Sequence, residues 1–205
     1  MRQTLPRNSS EGPHGPPNTL ARPALSFLFL LTAVVIGSAA VLGLVRRHQD
    51  RLHLATNGAH WIWLSSEFGE ERAPLGFFAA KDFDWEGGGQ GPARALLFVD
   101  RRYTFSFNGA RVGEGEKKPG DPLDAYDVSR SLVRGRNRIR IGVESPDGAG
   151  GVLFLLTLPD GSRIASGPSW KVAKTEQELE SRPHFAAVWG RPPMHPWGYP
   201  AATGR

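Results

Sequence analysis

Three acidic side chains near the middle of the chain have the spacing of cation ligands. Asp82, Asp84 and Glu86 occupy alternate positions directly before Gly87, which is how a calcium-binding loop begins. The twelfth position of an EF-hand loop is Ala93, where such a loop requires glutamate. We therefore predict no metal site. A structural calcium ion of another kind stays an alternative to the simpler interpretation, in which polar side chains line an exposed strand end.

Three tryptophans are candidates for contact with sugar rings, because aromatic side chains stack on the apolar faces of sugars. Trp61 and Trp63 alternate along the chain and so share one face of a strand, which favours packing in a core. Trp85 lies between Asp84 and Glu86 and precedes three glycines. It is therefore the better candidate for an exposed sugar platform.

The charged segment at residues 100–102, Asp-Arg-Arg, offers a second set of sugar ligands. A carboxylate and two guanidinium groups can hold sugar hydroxyls through paired hydrogen bonds. The alternative is a solvated connection that only turns the chain. The predicted carbohydrate-binding residues are Asp82, Asp84, Trp85, Asp100, Arg101 and Arg102.

Composition and motifs argue against several function classes. The sequence holds no cysteine, which excludes disulfides and thiol nucleophiles. It shows no paired carboxylates, serine elbow, phosphate loop or histidine pair in a context that supports catalysis. Lys and Arg number 25 against 20 Asp and Glu, but the surplus is spread along the chain rather than clustered. We predict a protein without catalytic activity, cofactor or nucleic-acid partner.

Alternation of side chains predicts strands in the second half of the chain. Residues 103–107 alternate aromatic and hydroxyl side chains, and Asn108 and Gly109 follow at once. Both residue types tolerate the positive φ of a type I′ turn, so this strand should pair with residues 110–112. The mixed charges of residues 114–121 predict a solvent-exposed loop.

Further strands complete an all-β pattern. Residues 139–143 alternate apolar and basic or small side chains, whereas 93–99 and 152–158 are apolar runs, the latter long enough for a central strand. Residues 159–165 begin with Pro-Asp-Gly and should form a second hairpin. Helical spacing appears only at 175–181. Strands at this spacing, in a chain with 25 Gly and 17 Pro, predict a two-sheet β-sandwich.

An uncharged apolar run near the N-terminus predicts a transmembrane helix. Residues 25–45 would span roughly 31 Å as a helix, about one bilayer core. Arg46 and Arg47 end the run. A cleaved signal peptide is the alternative, because small residues at 37–40 could form a cleavage site.

The sequence predicts five segments and a single-pass orientation. Basic residues flank the apolar run on both sides, so charge does not decide the orientation. We expect a cytoplasmic N-terminus in a bacterial inner membrane and a periplasmic or extracellular domain. The segments are a disordered tail (1–24), the transmembrane helix (25–45), a juxtamembrane linker (46–59), the sandwich (60–173), and a short helix with an extended Pro/Trp-rich arm (174–205).

Small residues in the apolar helix and aromatic residues in the arm are candidates for contact with partner subunits. Small residues four apart let another helix approach closely. Aromatic residues between prolines predict an extended arm that lies on an apolar surface. The predicted partner-contact residues are Ala33, Gly37, Ala39, Gly43, Trp189, Trp197 and Tyr199.

Five segments in order resemble the galactose-binding-like jelly roll of bacterial α-L-rhamnosidases and of family two glycoside hydrolases. The resemblance includes a WIW strand, an aromatic strand with its Asn-Gly turn, Tyr-Asp-Val before Gly-x-Asn, and an Asp-Gly hairpin before Ser-Trp-Lys. The segments are 60–66, 77–83, 93–115, 125–145 and 151–172.

The resemblance implies a jelly-roll sandwich that serves as a non-catalytic binding or packing module. Two functions are consistent with it and with the apolar helix. The first is a single-pass accessory subunit whose jelly roll packs on a larger membrane protein complex, which the helix and the aromatic arm favour. The second is a membrane-tethered module that binds glycans of the envelope or of extracellular polysaccharides. The apolar helix and the aromatic arm favour the first function slightly over the second.

Overall fold

The computed structural model of the chain describes residues 21–56, 58–65, 75–146 and 150–194. Its internal contacts divide the chain into two compact units, Met1–Leu44 and Val45–Arg205. The first unit contains most of one long helix, and the second contains the strands.

Helix α1 (Ala21–Thr56) contains the apolar run. Its segment Phe27–Arg47 has a mean hydropathy of 2.6 and is long and apolar enough to cross a membrane. A signal sequence meets the same criterion, so both interpretations of the run stay open. The helix continues past the run, so the predicted juxtamembrane linker at 46–59 is helical over residues 46–56. The reason is local, because this stretch contains neither Gly nor Pro to end the helix.

In the described part of the chain, twelve strands and a second helix follow α1. The strands are β1 (Trp61–Trp63), β2 (Leu75–Trp85), β3 (Arg94–Val99), β4 (Arg101–Phe107), β5 (Ala110–Lys117), β6 (Asp124–Asp127), β7 (Gly135–Ser145), β8 (Val152–Thr157), β9 (Arg163–Ala165), β10 (Lys171–Ala173), β11 (His184–Phe185) and β12 (Ala187–Gly190). Helix α2 (Glu176–Ser181) lies where the helical spacing at 175–181 predicts it, and it begins with a capping box between Thr175 and Glu178.

The strands form two six-stranded antiparallel sheets. The first sheet has the order β12-β1-β8-β3-β6, with β9 paired to β8, and the second has the order β11-β10-β2-β7-β4-β5. The predicted all-β fold is confirmed, and the architecture is a two-sheet jelly-roll sandwich. Strand β8 lies within its sheet, as its continuous apolar run predicts.

The hairpin β4–β5 confirms the predicted turn and corrects the loop after it. Asn108 and Gly109 have φ of 49° and 81°, both positive as a type I′ turn requires. Strand β5 continues to Lys117, whose side chain is buried. The predicted exposed loop at 114–121 is therefore wrong for its first half, because edge-strand pairing with β4 extends through this charged segment.

Part of the predicted C-terminal arm belongs to the sandwich. Strand β11 pairs with β10 and β12 pairs with β1, so each extends one sheet at its edge. Trp189 packs against the core, and its indole N–H donates to the Ser65 carbonyl at 3.0 Å. The surface under this part of the arm is therefore the chain's own domain. Trp197 and Tyr199 lie outside the described residues.

Aromatic side chains from both sheets fill the space between them. Phe154 of β8 contacts Phe105 of β4 across the sandwich, with ring centroids 5.7 Å apart. The Phe154 ring also contacts the Trp170 ring, at a centroid distance of 5.3 Å. Trp61 and Trp63 are buried, which confirms their predicted core position.

A buried amide joins the turn of one hairpin to the next strand. Asn137 donates to the carbonyls of Val133 and Gly135 and accepts from the Val133 amide and from Asn108. Asn108 in turn accepts from the Arg138 amide. This pair explains why the Asn-Gly turn and the Gly-x-Asn segment occur together, because each completes the hydrogen bonds of the other.

We predict that Asn137→Ala lowers the free energy of unfolding by about 2–4 kcal/mol, because it leaves buried backbone groups without partners. Denaturant unfolding of the full chain in detergent checks this value. The matched control is Gln177→Ala on α2, which removes an exposed amide. Equal stability of the two variants would contradict the role of Asn137.

Candidate functional site

Strand β7 separates two kinds of chemistry on its two faces. Its inward side chains are buried and apolar apart from Asn137 and Ser145, whereas its outward positions face solvent on the outer surface of the second sheet. The outward positions are Arg136, Arg138, Arg140, Gly142 and Glu144.

A groove of about 300 Å³ lies on this outer face at Gly142. Phe78 of β2 and Thr104 of β4 are the register partners of Gly142 on its two sides. A Cβ atom at Gly142 would lie 2.7 Å from Thr104 Oγ1 and 3.1 Å from Phe78 Cε1. The missing side chain therefore creates the space over the strand, and the half-buried ring of Phe78 lines it. We call this the Phe78 groove.

Charged side chains surround the Phe78 groove. Arg102 Nε donates to Glu116 Oε2 at 3.2 Å, and Glu114 forms an ion pair with Arg111. Glu144 is exposed and lines the same groove. Three carboxylates and one guanidinium beside an aromatic ring supply acceptors, a donor and an apolar surface. Such a set can bind a ring that is apolar on its faces and carries hydroxyls at its edge.

A polar cluster lies between the two sheets, on the inner side of the strands that form the groove. The Tyr103 hydroxyl donates to the Asp124 carboxylate and lies 2.7 Å from the Tyr126 hydroxyl. The Lys117 ammonium lies 2.5 Å from Asp124 Oδ1, which joins β5 of one sheet to β6 of the other. Gly115, beside the groove, carries no side chain, and a Cβ there would lie 2.8 Å from the Tyr103 ring.

Burial raises the pKa of both tyrosines of this cluster above the ordinary value. For Tyr103 the main cause is burial, and the hydrogen bond to Asp124 adds to it. For Tyr126 burial is again the main cause; the hydrogen bond with Tyr103 lowers the pKa, and the charges of Asp124 and Glu114 raise it. Both hydroxyls therefore stay protonated in the folded protein at a pH where free tyrosine ionises.

The sequence-predicted sugar ligands lie at two ends of the second sheet. Asp82 is the register partner of Arg138 on β7. Arg102 is the partner of Glu144, six residues further along β7, which corresponds to about 20 Å. The six residues therefore do not form one site, and only Arg102 lines the Phe78 groove. Their role in sugar binding stays a prediction.

The acidic end of β2 is tied to neighbouring groups. Asp82 pairs with Arg136 at 3.0 Å and with Arg138 at 3.8 Å, whereas Asp84 is exposed. Trp85 is half-buried and packs against the core rather than standing free. It faces the turn at Asp160, whose pKa is lowered mainly by hydrogen bonds from Ser162, with a smaller contribution from Trp85.

The segment between β3 and β4 is more constrained than a solvated connection. Asp100 is only 4% exposed, and its amide donates to the Gly151 carbonyl at 3.0 Å. The Arg101 guanidinium lies 4.0 Å from the Asp100 carboxylate, and Arg101 has φ of 97°, a strained value for a residue with a side chain. Both residues serve the crossing of the chain from one sheet to the other.

Sequence analysis missed most of the Phe78 groove. Its missed residues are Phe78, Thr104, Glu114, Glu116, Gly142 and Glu144. One signal was present, because Phe77 and Phe78 are adjacent and only one of two adjacent strand residues can face the core. The contact between the Phe78 ring and Gly142 depends on the register of β2, β7 and β4. The sequence does not show this register.

The predicted partner-contact residues of α1 lie on a largely exposed helix surface. A Cβ at Gly37 or Gly43 would meet no atom within 4 Å. Their contact with another helix stays a prediction. Within the described residues, no group of three His, Asp or Glu side chains could hold a metal ion.

Solved structures share the fold, while no protein-family model and no curated protein matches the sequence. A GH78 family rhamnosidase of Bacillus sp. GL1 is 21% identical with a TM-score of 0.59 over 70% of this chain. The α-L-rhamnosidase of Streptomyces avermitilis, solved with L-rhamnose, is 21% identical with a TM-score of 0.57 over the same share. A lectin of Pleurotus ostreatus, solved with GalNAc, is 28% identical with a TM-score of 0.58 over 72%.

These similarities define the class of the domain. The chain spans only 19% and 16% of the two rhamnosidases and 47% of the lectin. Its fold is the galactose-binding-like jelly roll that the sequence resemblance predicts, and it is a carbohydrate-binding-like domain.

We predict that the free energy of unfolding falls as pH rises above about 10, the ordinary tyrosine pKa. The raised pKa of Tyr103 stabilises the fold fully below that pH, and this contribution is lost as pH rises toward the folded-state pKa. Denaturant unfolding between pH 8 and 11, values set around that pKa, measures the slope. The slope should be shallower in Tyr103→Phe than in the wild type. Parallel slopes would contradict the cluster's role.

Proposed function

We propose that this protein is a membrane-tethered carbohydrate-binding module that holds a saccharide in the Phe78 groove. The observation that carries the proposal is the position of Phe78, whose ring lies beside the bare backbone of Gly142 on the outer face of the sheet. Any residue larger than glycine at position 142 would displace or cover the side chains of Thr104 and Phe78. Phe78 is half-buried, because it packs against Ala80, Ala173 and Leu179, and it also lines the groove.

The groups around the ring match the chemistry of a sugar. Glu116 and Glu144 can accept hydrogen bonds from hydroxyls, and the guanidinium of Arg102 can donate to ring or hydroxyl oxygens. Arg102 and Glu116 pair with each other at 3.2 Å, which brings a donor and an acceptor together at one edge of the groove.

The solved structures support a sugar over other ligands. The lectin of Pleurotus ostreatus, 28% identical to this chain, was solved with GalNAc. The lectin similarity favours glycan binding over the accessory-subunit role that the sequence analysis placed first. The function proposed requires no catalysis, in keeping with the absence of a catalytic motif from the sequence.

The apolar helix supports a membrane tether. Its segment Phe27–Arg47 presents exposed apolar side chains of the length that a bilayer core requires. We place the N-terminus in the cytoplasm of a bacterial cell and the jelly roll on the periplasmic or extracellular side, where envelope glycans are found.

The accessory-subunit role is the second candidate. Phe185 on β11 is 69% exposed and Val188 on β12 is 41% exposed, so the edge strands present apolar side chains to solvent. Gentle detergent extraction followed by sizing tests this role. A large complex of reproducible composition would support it, whereas a single 22.4 kDa chain in its micelle would exclude it.

We predict that Phe78→Leu weakens saccharide binding by about tenfold, because it keeps the apolar volume and removes the flat ring. The assay is titration of the full chain in detergent with GalNAc, L-rhamnose and a glycan array. The matched control is Phe185→Leu, which removes an exposed ring of the same sheet outside the groove. Unchanged affinity in Phe78→Leu, or no binding of any glycan, would overturn the proposal.

We also predict that the full chain stays with membranes after an alkaline carbonate wash and is released by detergent, because its apolar helix spans the bilayer. Membrane fractionation with N-terminal sequencing checks both points. Release by carbonate, or a mature chain that begins after residues 37–40, would show a cleaved signal peptide instead.

A further inference from the structure

A second cavity of about 480 Å³ lies on the same sheet, beneath α2. Leu179 anchors the helix by packing on Ala80 and Ala173. Arg138 forms a two-fold ion pair with Glu180, at 2.7 and 2.9 Å, that holds the end of the helix over the strands. Helix α2 is thus held over the cavity by both contacts. The cavity lies at the opposite end of β7 from the groove residue Glu144.

The side chains that line this cavity carry more positive than negative charges. Its acidic groups are Asp82 and Glu180, and both are paired with the guanidinium groups of Arg136 and Arg138. Two further cations, Lys81 and Lys171, line the same space.

The two lysines provide the uncompensated charge. Lys81 Nζ donates to Ser169 Oγ at 2.9 Å, so its position is fixed by a neutral group. In the part of the chain that the structure describes, no carboxylate lies within ion-pair distance of Lys81 or Lys171. Lys171 is exposed at an outward position, so its ammonium is available to an anion. Lys81 starts from an inward position, as the partner of Ile139, and its ammonium reaches the cavity at Ser169.

We propose that the cavity beneath α2 is a subsite for the carboxylate of an acidic sugar, a hexuronic acid, with Lys81 and Lys171 as its ligands. The inference rests on the proposed function, since it takes the ligand to be a saccharide. A bare ion fills little more than the volume of a few waters, about 30 Å³ each. The larger polar cavity, with the hydroxyls of Ser169 and Ser181, accommodates the rest of a sugar ring.

The carboxylates of the cavity argue for a singly charged ligand. Asp82 and Glu180 would repel a doubly charged phosphate more than a uronate, and they can accept sugar hydroxyls. The same cations could meet a phosphate from solution or from a lipid headgroup, and the experiment separates these sources.

The test uses ligand-observed NMR on the full chain in detergent. The probes are D-glucuronate and D-galacturonate, their neutral counterparts D-glucose and D-galactose, and inorganic phosphate. Uronates should bind more tightly than the neutral sugars, and Lys171→Gln should weaken uronate binding by about tenfold, the loss of one charged hydrogen bond. The matched control is Lys118→Gln, which removes one exposed lysine outside the cavity.

Three results would overturn the inference. They are no preference for uronates, equal losses in Lys171→Gln and Lys118→Gln, and displacement of uronate by equimolar phosphate, which would show a general anion site. Displacement of uronate by vesicles that contain anionic lipid would likewise overturn the inference, because it would show a site for lipid headgroups. Failure of the proposed function is distinguishable, because Phe78→Leu would then leave neutral-glycan binding unchanged.

Discussion

The period of two along β7 is the constraint on which the rest of the structure depends. Every second residue of this strand must face the core, and Asn137, Ile139, Ile141 and Val143 do so. The same period forces the intervening residues onto the outer face of the sheet. Because β7 pairs with β2 along its whole length and with β4 along half of it, the strand also sets the register of both neighbours.

The outer face therefore holds both candidate sites, and their different chemistry follows from position along one strand. At Gly142 the missing side chain opens a groove beside the ring of Phe78. Nearer the start of β7, Arg138 instead holds α2 over the sheet and closes a polar cavity. One site has an apolar surface and the other has excess positive charge.

The fold could be predicted from sequence because its signals are local. The turn at Asn108, the alternation before it and the apolar run of β8 each need only neighbouring residues. The site could not, because Phe78 becomes a candidate only when the register places it beside Gly142. Trp85 shows the converse error. Its flanking charges indicated exposure, but the ring packs against the core, a tertiary contact that local pattern does not reveal.

The most direct test of the central claim is the position of a bound saccharide on the domain. Intermolecular nuclear Overhauser effects between the sugar ring protons and the full chain in detergent measure it. We expect contacts to the ring of Phe78 and the methyl group of Thr104, which line the same groove. Contacts confined to Trp85 and the loops at the far end of β2, with none to Phe78, would contradict it.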